Sequence, residues 1–179
     1  MNYATIKPVD IANGVGVRVS LFVSGCTHHC KGCFNAEAWD FNFGRPFTPI
    51  TEDLIMYHLG FSWIDGLSLL GGEPFEPEHQ EVLLGLLERV HKELPTKTVW
   101  AYSGYTFEEI KNSPLLKYVD ILVDGEFMED EKNISLQFRG SENQRVIDVK
   151  KTFEAGHVVI RPDDKKGCDV RWNADVVGQ

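Results

Sequence analysis

Four short apolar segments of the chain each run directly into a turn that contains glycine. No other feature of the sequence limits the fold as strongly. The segments are residues 17–23, 66–70, 98–102 and 119–123. Helical patterns separate them, and the clearest is 78–94, where the apolar side chains share one helical face until Pro95 ends it. Strands that alternate with helices predict right-handed crossover units and a parallel sheet.

The length of the chain limits the size of that sheet. A complete eight-unit barrel takes about 250 residues, and this chain has 179, so we expect an α/β fold with a partial, open barrel. A second helix is predicted over 51–59, and Thr106 with Glu109 forms a capping-box pattern that opens a third. The region 157–160 is a further candidate strand, and 163–167 reads as a charged turn. The sequence predicts one domain over 1–149, with 150–179 as a C-terminal extension.

Charge and hydropathy exclude two classes of partner. The formal net charge of −9 and a pI near 5.1 would repel a phosphate backbone, so we expect no nucleic-acid partner. The first residues lack the basic start and apolar run of a signal peptide, and no segment has the apolar length that spans a bilayer. We therefore expect a cytoplasmic protein without a membrane partner.

Three of the four cysteines, Cys26, Cys30 and Cys33, fall within eight residues directly after the first predicted strand. A reducing compartment keeps such thiols free, so their clustering indicates a metal site. Most four-iron clusters take four cysteines, whereas three would leave one iron without a protein ligand. An open metal position is where chemistry takes place. Cys168 stands alone and is predicted not to be a ligand.

A structural zinc site is the alternative interpretation of this loop. His28 or His29 would then complete a set of three cysteines and one histidine. We favour this alternative less, because zinc fingers usually supply their ligands as two separated pairs.

Polar and glycine residues follow the other predicted strands. Gly71 and Gly72 precede Glu73 after the second strand, and two glycines let a ligand approach the backbone closely. Ser103 and Asp124 end the third and fourth strands, where a hydroxyl and a carboxylate suit a polar ligand but are also typical of turns. In a parallel sheet all of these turns share one face, which is where α/β sites form.

The spacing of the cysteines resembles that of the radical S-adenosylmethionine superfamily. Further blocks resemble the activating proteins of anaerobic ribonucleoside-triphosphate reductase. These blocks are Asn13-Gly14, GVR at 16–18, CKGCFN at 30–35, GGEP at 71–74, WAYSGYTFEE at 100–109, LVDGEF at 122–127 and FRGSENQR at 138–145. The resemblance covers residues 1–149. It departs from the family pattern at Val15, where proline is common, at Glu126, where lysine is frequent, and in the tail from Lys150.

The resemblance implies a radical S-adenosylmethionine domain with one [4Fe-4S] cluster on Cys26, Cys30 and Cys33. The amino and carboxylate groups of S-adenosylmethionine would chelate the open iron. The implied cofactor-binding residues are Gly32, Cys33, Phe34, Gly71, Gly72, Glu73, Ser103 and Asp124. Phe34 would pack against the adenine, while Arg139 and Arg145 are candidates to hold the cofactor carboxylate or to dock a partner.

The implied activity is the generation of a glycyl radical on the reductase, with an external electron donor such as flavodoxin. Three alternatives remain at this point. Two are other radical S-adenosylmethionine enzymes, one like the activase of pyruvate formate-lyase and one a 7-deazaguanine-pathway synthase. The third is a zinc-stabilised interaction module without catalytic activity.

Overall fold

The computed structural model describes residues 1–162, which form one mixed sheet with its main helices packed on one face. The strands are β1 (Asn2–Asp10), β2 (Arg18–Ser24), β3 (Arg45–Pro46), β4 (Gly66–Gly71), β5 (Thr98–Tyr102), β6 (Ile121–Asp124) and β7 (Arg145–Asp148). The α-helices are α1 (Pro49–Leu59), α2 (Pro77–Glu93), α3 (Phe107–Ile110) and α4 (Val149–Ala155). Short 3-10 helices cover Ala36–Trp39, Pro114–Tyr118 and Glu129–Glu131.

The order of the seven strands is β3-β1-β2-β4-β5-β6-β7. The four predicted strands are the central ones, β2, β4, β5 and β6, and they pair in parallel. The parallel pairing of the predicted strands is therefore confirmed. The strands β1, β3 and β7 pair antiparallel and were not predicted, so the sheet as a whole is mixed. Strand β1 was not predicted, because nearly all of its residues are partly or fully exposed and its pairing with β2 contains two register shifts. Its sequence therefore lacks a clear alternation of apolar and polar residues.

The predicted helices are confirmed. Helices α1 and α2 begin at Pro49 and Pro77, and the capping box opens α3, where the Thr106 N–H donates to the Glu109 carboxylate at 2.7 Å. The candidate strand at 157–160 was wrong, because only Ile160 forms an isolated bridge, to Ile147. The predicted turn at 163–167 and Cys168 lie outside the described residues.

The two faces of the sheet differ in chemistry. The face under the helices carries the main apolar core, which includes Val19, Leu21, Leu67 and Leu69. The opposite face carries Arg18, which is only 1% exposed. Its guanidinium donates to neutral acceptors, among them the Ser68 hydroxyl at 2.7 Å, and burial lowers its pKa to about 10. This second face also carries a smaller apolar cluster, formed by Trp100, Ile121, Val123 and Val146.

Within the part of the chain that the structure describes, no helix combines the length and the apolar character needed to cross a membrane.

Candidate metal centre

A cavity of about 420 Å³ opens where the parallel strands end. Leu70 of β4 and Tyr102 of β5 contribute to its wall from the sheet, on the face opposite the helices. Eight of the residues predicted for the site line this cavity. They are Cys26, Cys30, Cys33, Phe34, Gly71, Gly72, Glu73 and Ser103. The other two predicted residues, Gly32 and Asp124, are not among the lining residues.

The cysteine loop begins as soon as β2 ends. Gly25 adopts a φ of 110°, and its N–H donates to the Ala38 carbonyl at 2.7 Å, which ties the loop to the following 3-10 helix. Gly32 adopts a φ of 75°, and the Cys33 N–H donates to the Cys30 carbonyl at 3.2 Å. Gly32 therefore serves the tight turn that places Cys33 back on the cavity, since a left-handed conformation favours glycine.

All three thiols of this loop are free. Cys26 is buried, with 8% exposure, and burial raises the pKa of its thiol to about 11. Burial also raises the pKa of Cys30 above its ordinary value. Metals bind the thiolate, so these thiols would release protons on binding a metal.

The two histidines of the loop contact side chains other than the cysteines. His28 Nε2 lies 3.3 Å from Glu73 Oε2, as an ion pair outside the angular range of a hydrogen bond, and the ring of His29 lies 4.7 Å from that of Trp39. Across residues 1–162, no three His, Cys, Asp or Glu side chains gather as the ligands of one ion would. A four-iron cluster binds each cysteine through a different iron and does not require sulfurs that converge on one point. Three free thiols on one open cavity fit the chemistry of a four-iron cluster, which takes cysteine ligands.

Glu73 joins the turn after β4 to the turn after β5. Its carboxylate is only 1% exposed and accepts hydrogen bonds from the Ser103 hydroxyl at 2.9 Å, the Gly104 N–H at 2.7 Å and the Phe75 N–H at 2.9 Å. The structure thus brings Glu73 and Ser103 together, but with their side chains bonded to each other. The backbone of the turns remains as the surface that a cofactor would meet there.

Gly72 is required by packing inside the protein. A Cβ atom at this position would lie 2.4 Å from the Gly25 carbonyl oxygen and 3.0 Å from that of Ala38. The sequence interpretation assigned this close approach to a ligand. The structure shows that the approach is between the turn after β4 and the backbone just before Cys26.

Asp124 lies behind the cavity, fully buried. Its carboxylate accepts from Arg145 Nε at 2.9 Å and from the Phe107 N–H at 2.7 Å. Arg145 also binds Glu108 at 2.7 Å, so its guanidinium is held between two carboxylates. These contacts raise the pKa of Arg145, and Arg145 lowers the pKa of Glu108.

Of the cavity wall that comes from the segment 127–144, sequence reasoning had singled out only Arg139 as a candidate functional residue. Its lining residues are Phe127, Lys132, Asn133, Ile134, Leu136, Phe138, Arg139, Gly140 and Gln144. Arg139 lines the cavity and donates to the Gln144 carbonyl at 2.9 Å. The sequence signals for this wall were the ends of two family-like blocks, 122–127 and 138–145, because the segment between them lacks helical or strand periodicity.

Comparison with known proteins agrees with this geometry. The family described as 4Fe-4S single cluster domain matches residues 12–147, which include the cysteine loop and the sheet. The chain is therefore an iron–sulfur protein of the single-cluster class. Similarity to individual proteins points to a more specific family. The anaerobic ribonucleoside-triphosphate reductase-activating protein of Enterobacteria phage T4 is 44% identical over 148 residues, which are 82% of this chain and 93% of the relative.

Two bacterial proteins of the same description match equally well. That of Vibrio cholerae is 44% identical over 148 residues, 80% of this chain and 96% of the relative. That of Escherichia coli K12 is 45% identical over 151 residues, 82% of this chain and 97% of the relative. The chain belongs to the family of anaerobic ribonucleoside-triphosphate reductase-activating proteins.

Proposed function

We propose that this protein is an activase that cleaves S-adenosylmethionine reductively and places a glycyl radical on anaerobic ribonucleoside-triphosphate reductase. The observation that carries the proposal is the position of three free thiols on one open cavity, next to the GGEP turn, in a chain of this family. The sheet would then be the partial, open barrel of the radical S-adenosylmethionine type.

Cys26, Cys30 and Cys33 would hold a [4Fe-4S] cluster and leave one iron free for S-adenosylmethionine. When bound, these groups supply the radical chemistry: one electron breaks a carbon–sulfur bond, giving methionine and a 5'-deoxyadenosyl radical that takes a hydrogen atom from glycine. The chain itself orients the cofactor and excludes water. The turn at Gly71 and Gly72 would present backbone groups to the cofactor, and the Phe34 ring, 71% exposed beside the cavity, would pack against the adenine.

The open side of the cavity suits a macromolecular substrate. Ile134 borders the cavity and is 94% exposed, so it offers apolar surface to a partner on this side. A loop of the reductase can approach the cofactor from this side. The electron would come from an external donor such as flavodoxin. The net charge of −9 would repel a nucleic-acid backbone. We expect a cytoplasmic protein with neither a nucleic-acid nor a membrane partner.

The test is anaerobic reconstitution with iron and sulfide, reduction, and addition of S-adenosylmethionine with the cognate reductase. We expect an electron-paramagnetic-resonance doublet on the reductase, and we expect no doublet when its radical-bearing glycine is replaced by alanine. Without the reductase, cofactor cleavage should be slow and should leave no stable protein radical. Rapid cleavage of S-adenosylmethionine with a small metabolite, together with no radical signal on the reductase, would instead establish a small-molecule synthase.

A further inference from the structure

Glu76 is a buried carboxylate that the proposed chemistry does not use. It lies directly before α2 and is 3% exposed. One of its oxygens, Oε1, accepts the Thr27 N–H at 2.7 Å and the Thr27 hydroxyl at 2.6 Å. Thr27 follows Cys26 in the chain, so Glu76 binds the loop one residue after its first cysteine.

A second carboxylate holds the next residue of the loop. Glu73 pairs with His28, and the ring of His28 also packs edge-on against Tyr105 with centroids 4.3 Å apart. Two residues of the loop, Thr27 and His28, are thus fixed from the turn that follows β4. The donors that bind Glu76 Oε1 are uncharged, so these two contacts do not neutralise the carboxylate.

We propose that Glu76 is a positioning residue for the cluster, and that its buried charge lowers the reduction potential of the cluster. The inference rests on the three-cysteine ligation of the proposed function. Two hydrogen bonds to one carboxylate oxygen fix the backbone next to Cys26. Reduction adds a negative charge to the cluster, and a nearby carboxylate in a medium of low dielectric opposes that addition. The side chain therefore affects both the geometry and the electrochemistry of the site.

Glu76→Gln separates the charge from the geometry. The amide keeps an oxygen that accepts from Thr27 but removes the negative charge. We expect unchanged iron content and a reduction potential shifted upward, with the ratio of reduced to oxidised cluster about tenfold higher at a fixed solution potential. Glu78→Gln is the matched control, because it removes the same charge two residues away from an exposed position, where solvent screens it.

Thr27→Val tests the geometric part, because it removes the hydroxyl donor and leaves the charge of Glu76 in place. We expect iron to be lost to a chelator several-fold faster than from the parent, and Thr27→Ser to restore the parent rate. Equal potentials for Glu76→Gln, Glu78→Gln and the parent would overturn the electrostatic role, and unchanged iron release from Thr27→Val would overturn the positioning role. If the parent protein binds no four-iron cluster, both the proposed function and this inference fail. Equal potentials, or unchanged iron release from Thr27→Val, would overturn only this inference and would leave the proposed function intact.

Discussion

The carboxylate of Glu73 accepts the backbone N–H of Gly104 at 2.7 Å and so joins the turns that follow two neighbouring parallel strands. Both turns border the cavity. The same carboxylate reaches the cysteine loop through His28, so one buried side chain connects three parts of the site.

Glu73→Gln should destabilise the protein by about 2 kcal/mol. An amide has one acceptor oxygen, so its NH₂ group would face either the Gly104 N–H or the donors from Ser103 and Phe75. Urea unfolding of the metal-free protein measures the effect. Glu78→Gln on the exposed side of α2 serves as the control and should lie within about 0.5 kcal/mol of the parent. Equal stability of both variants would contradict the assigned role of Glu73.

The cysteine loop leads to a prediction about iron content. Cys26→Ala, Cys30→Ala and Cys33→Ala should each lose iron and activity after anaerobic reconstitution, because each removes one ligand of the proposed cluster. Cys168→Ala should retain both. Iron and acid-labile sulfide analysis measures the outcome, and full iron content in all three loop variants would rule out the ligand assignment.

Gly72→Ala tests the contact between the turn after β4 and the cysteine loop. A methyl group 2.4 Å from the Gly25 carbonyl forces the two backbones apart, so we expect a loss of about 1–3 kcal/mol in unfolding free energy together with reduced iron loading.

Gly85→Ala is the matched control for that substitution. Gly85 lies within α2 and its Cβ would have no neighbour within 4 Å, so alanine there should stabilise the helix by about 0.5–1 kcal/mol. Normal stability and iron loading of Gly72→Ala would show that the two turns can separate without cost.

Glu108 should give stability a pH dependence. Arg145 lowers its pKa in the folded state, so the carboxylate stabilises the fold above its ordinary pKa of 4.5 and this contribution is lost as the pH falls through the lowered value. The difference in unfolding free energy between the parent and Glu108→Gln should therefore be present at neutral pH and shrink toward zero in acid. Because Glu108 is largely exposed, the difference will be small. A difference that persists in acid would exclude this ion pair as its origin.

Ile134 and Ile50 provide a test of the open side of the cavity. Both are strongly exposed, at 94% and 81%, but Ile134 borders the cavity whereas Ile50 lies on α1. Ile134→Ser should raise the reductase concentration needed for half-maximal radical formation by roughly tenfold, the loss typical of a large apolar contact residue. Cofactor binding should remain unchanged. Ile50→Ser should behave as the parent, and the opposite result would place the reductase on the helix side of the sheet.

The amino-acid sequence alone determined the centre of this protein. The strands β2, β4, β5 and β6 are detectable because each is a short apolar run that ends at a glycine-bearing turn. Helix α2 is detectable because its apolar residues repeat with the helical period, and helix α1 because acidic residues in its first turn precede apolar ones. The cysteine spacing indicated the metal site for a similarly local reason, since all three residues lie in one loop directly after a strand.

Only the tertiary structure decided which side chains of the turns contact one another. Glu73 meets Ser103, Gly72 meets Gly25 and Glu76 meets Thr27 because the register of parallel pairing brings the ends of β2, β4 and β5 side by side. Strands β1, β3 and β7 were likewise missed, because β1 pairs with β2 in a shifted register and because β3 and β7 are short, with two and four residues. Local patterns report what a segment buries, whereas contacts between turns depend on distances that exist only once the sheet has formed.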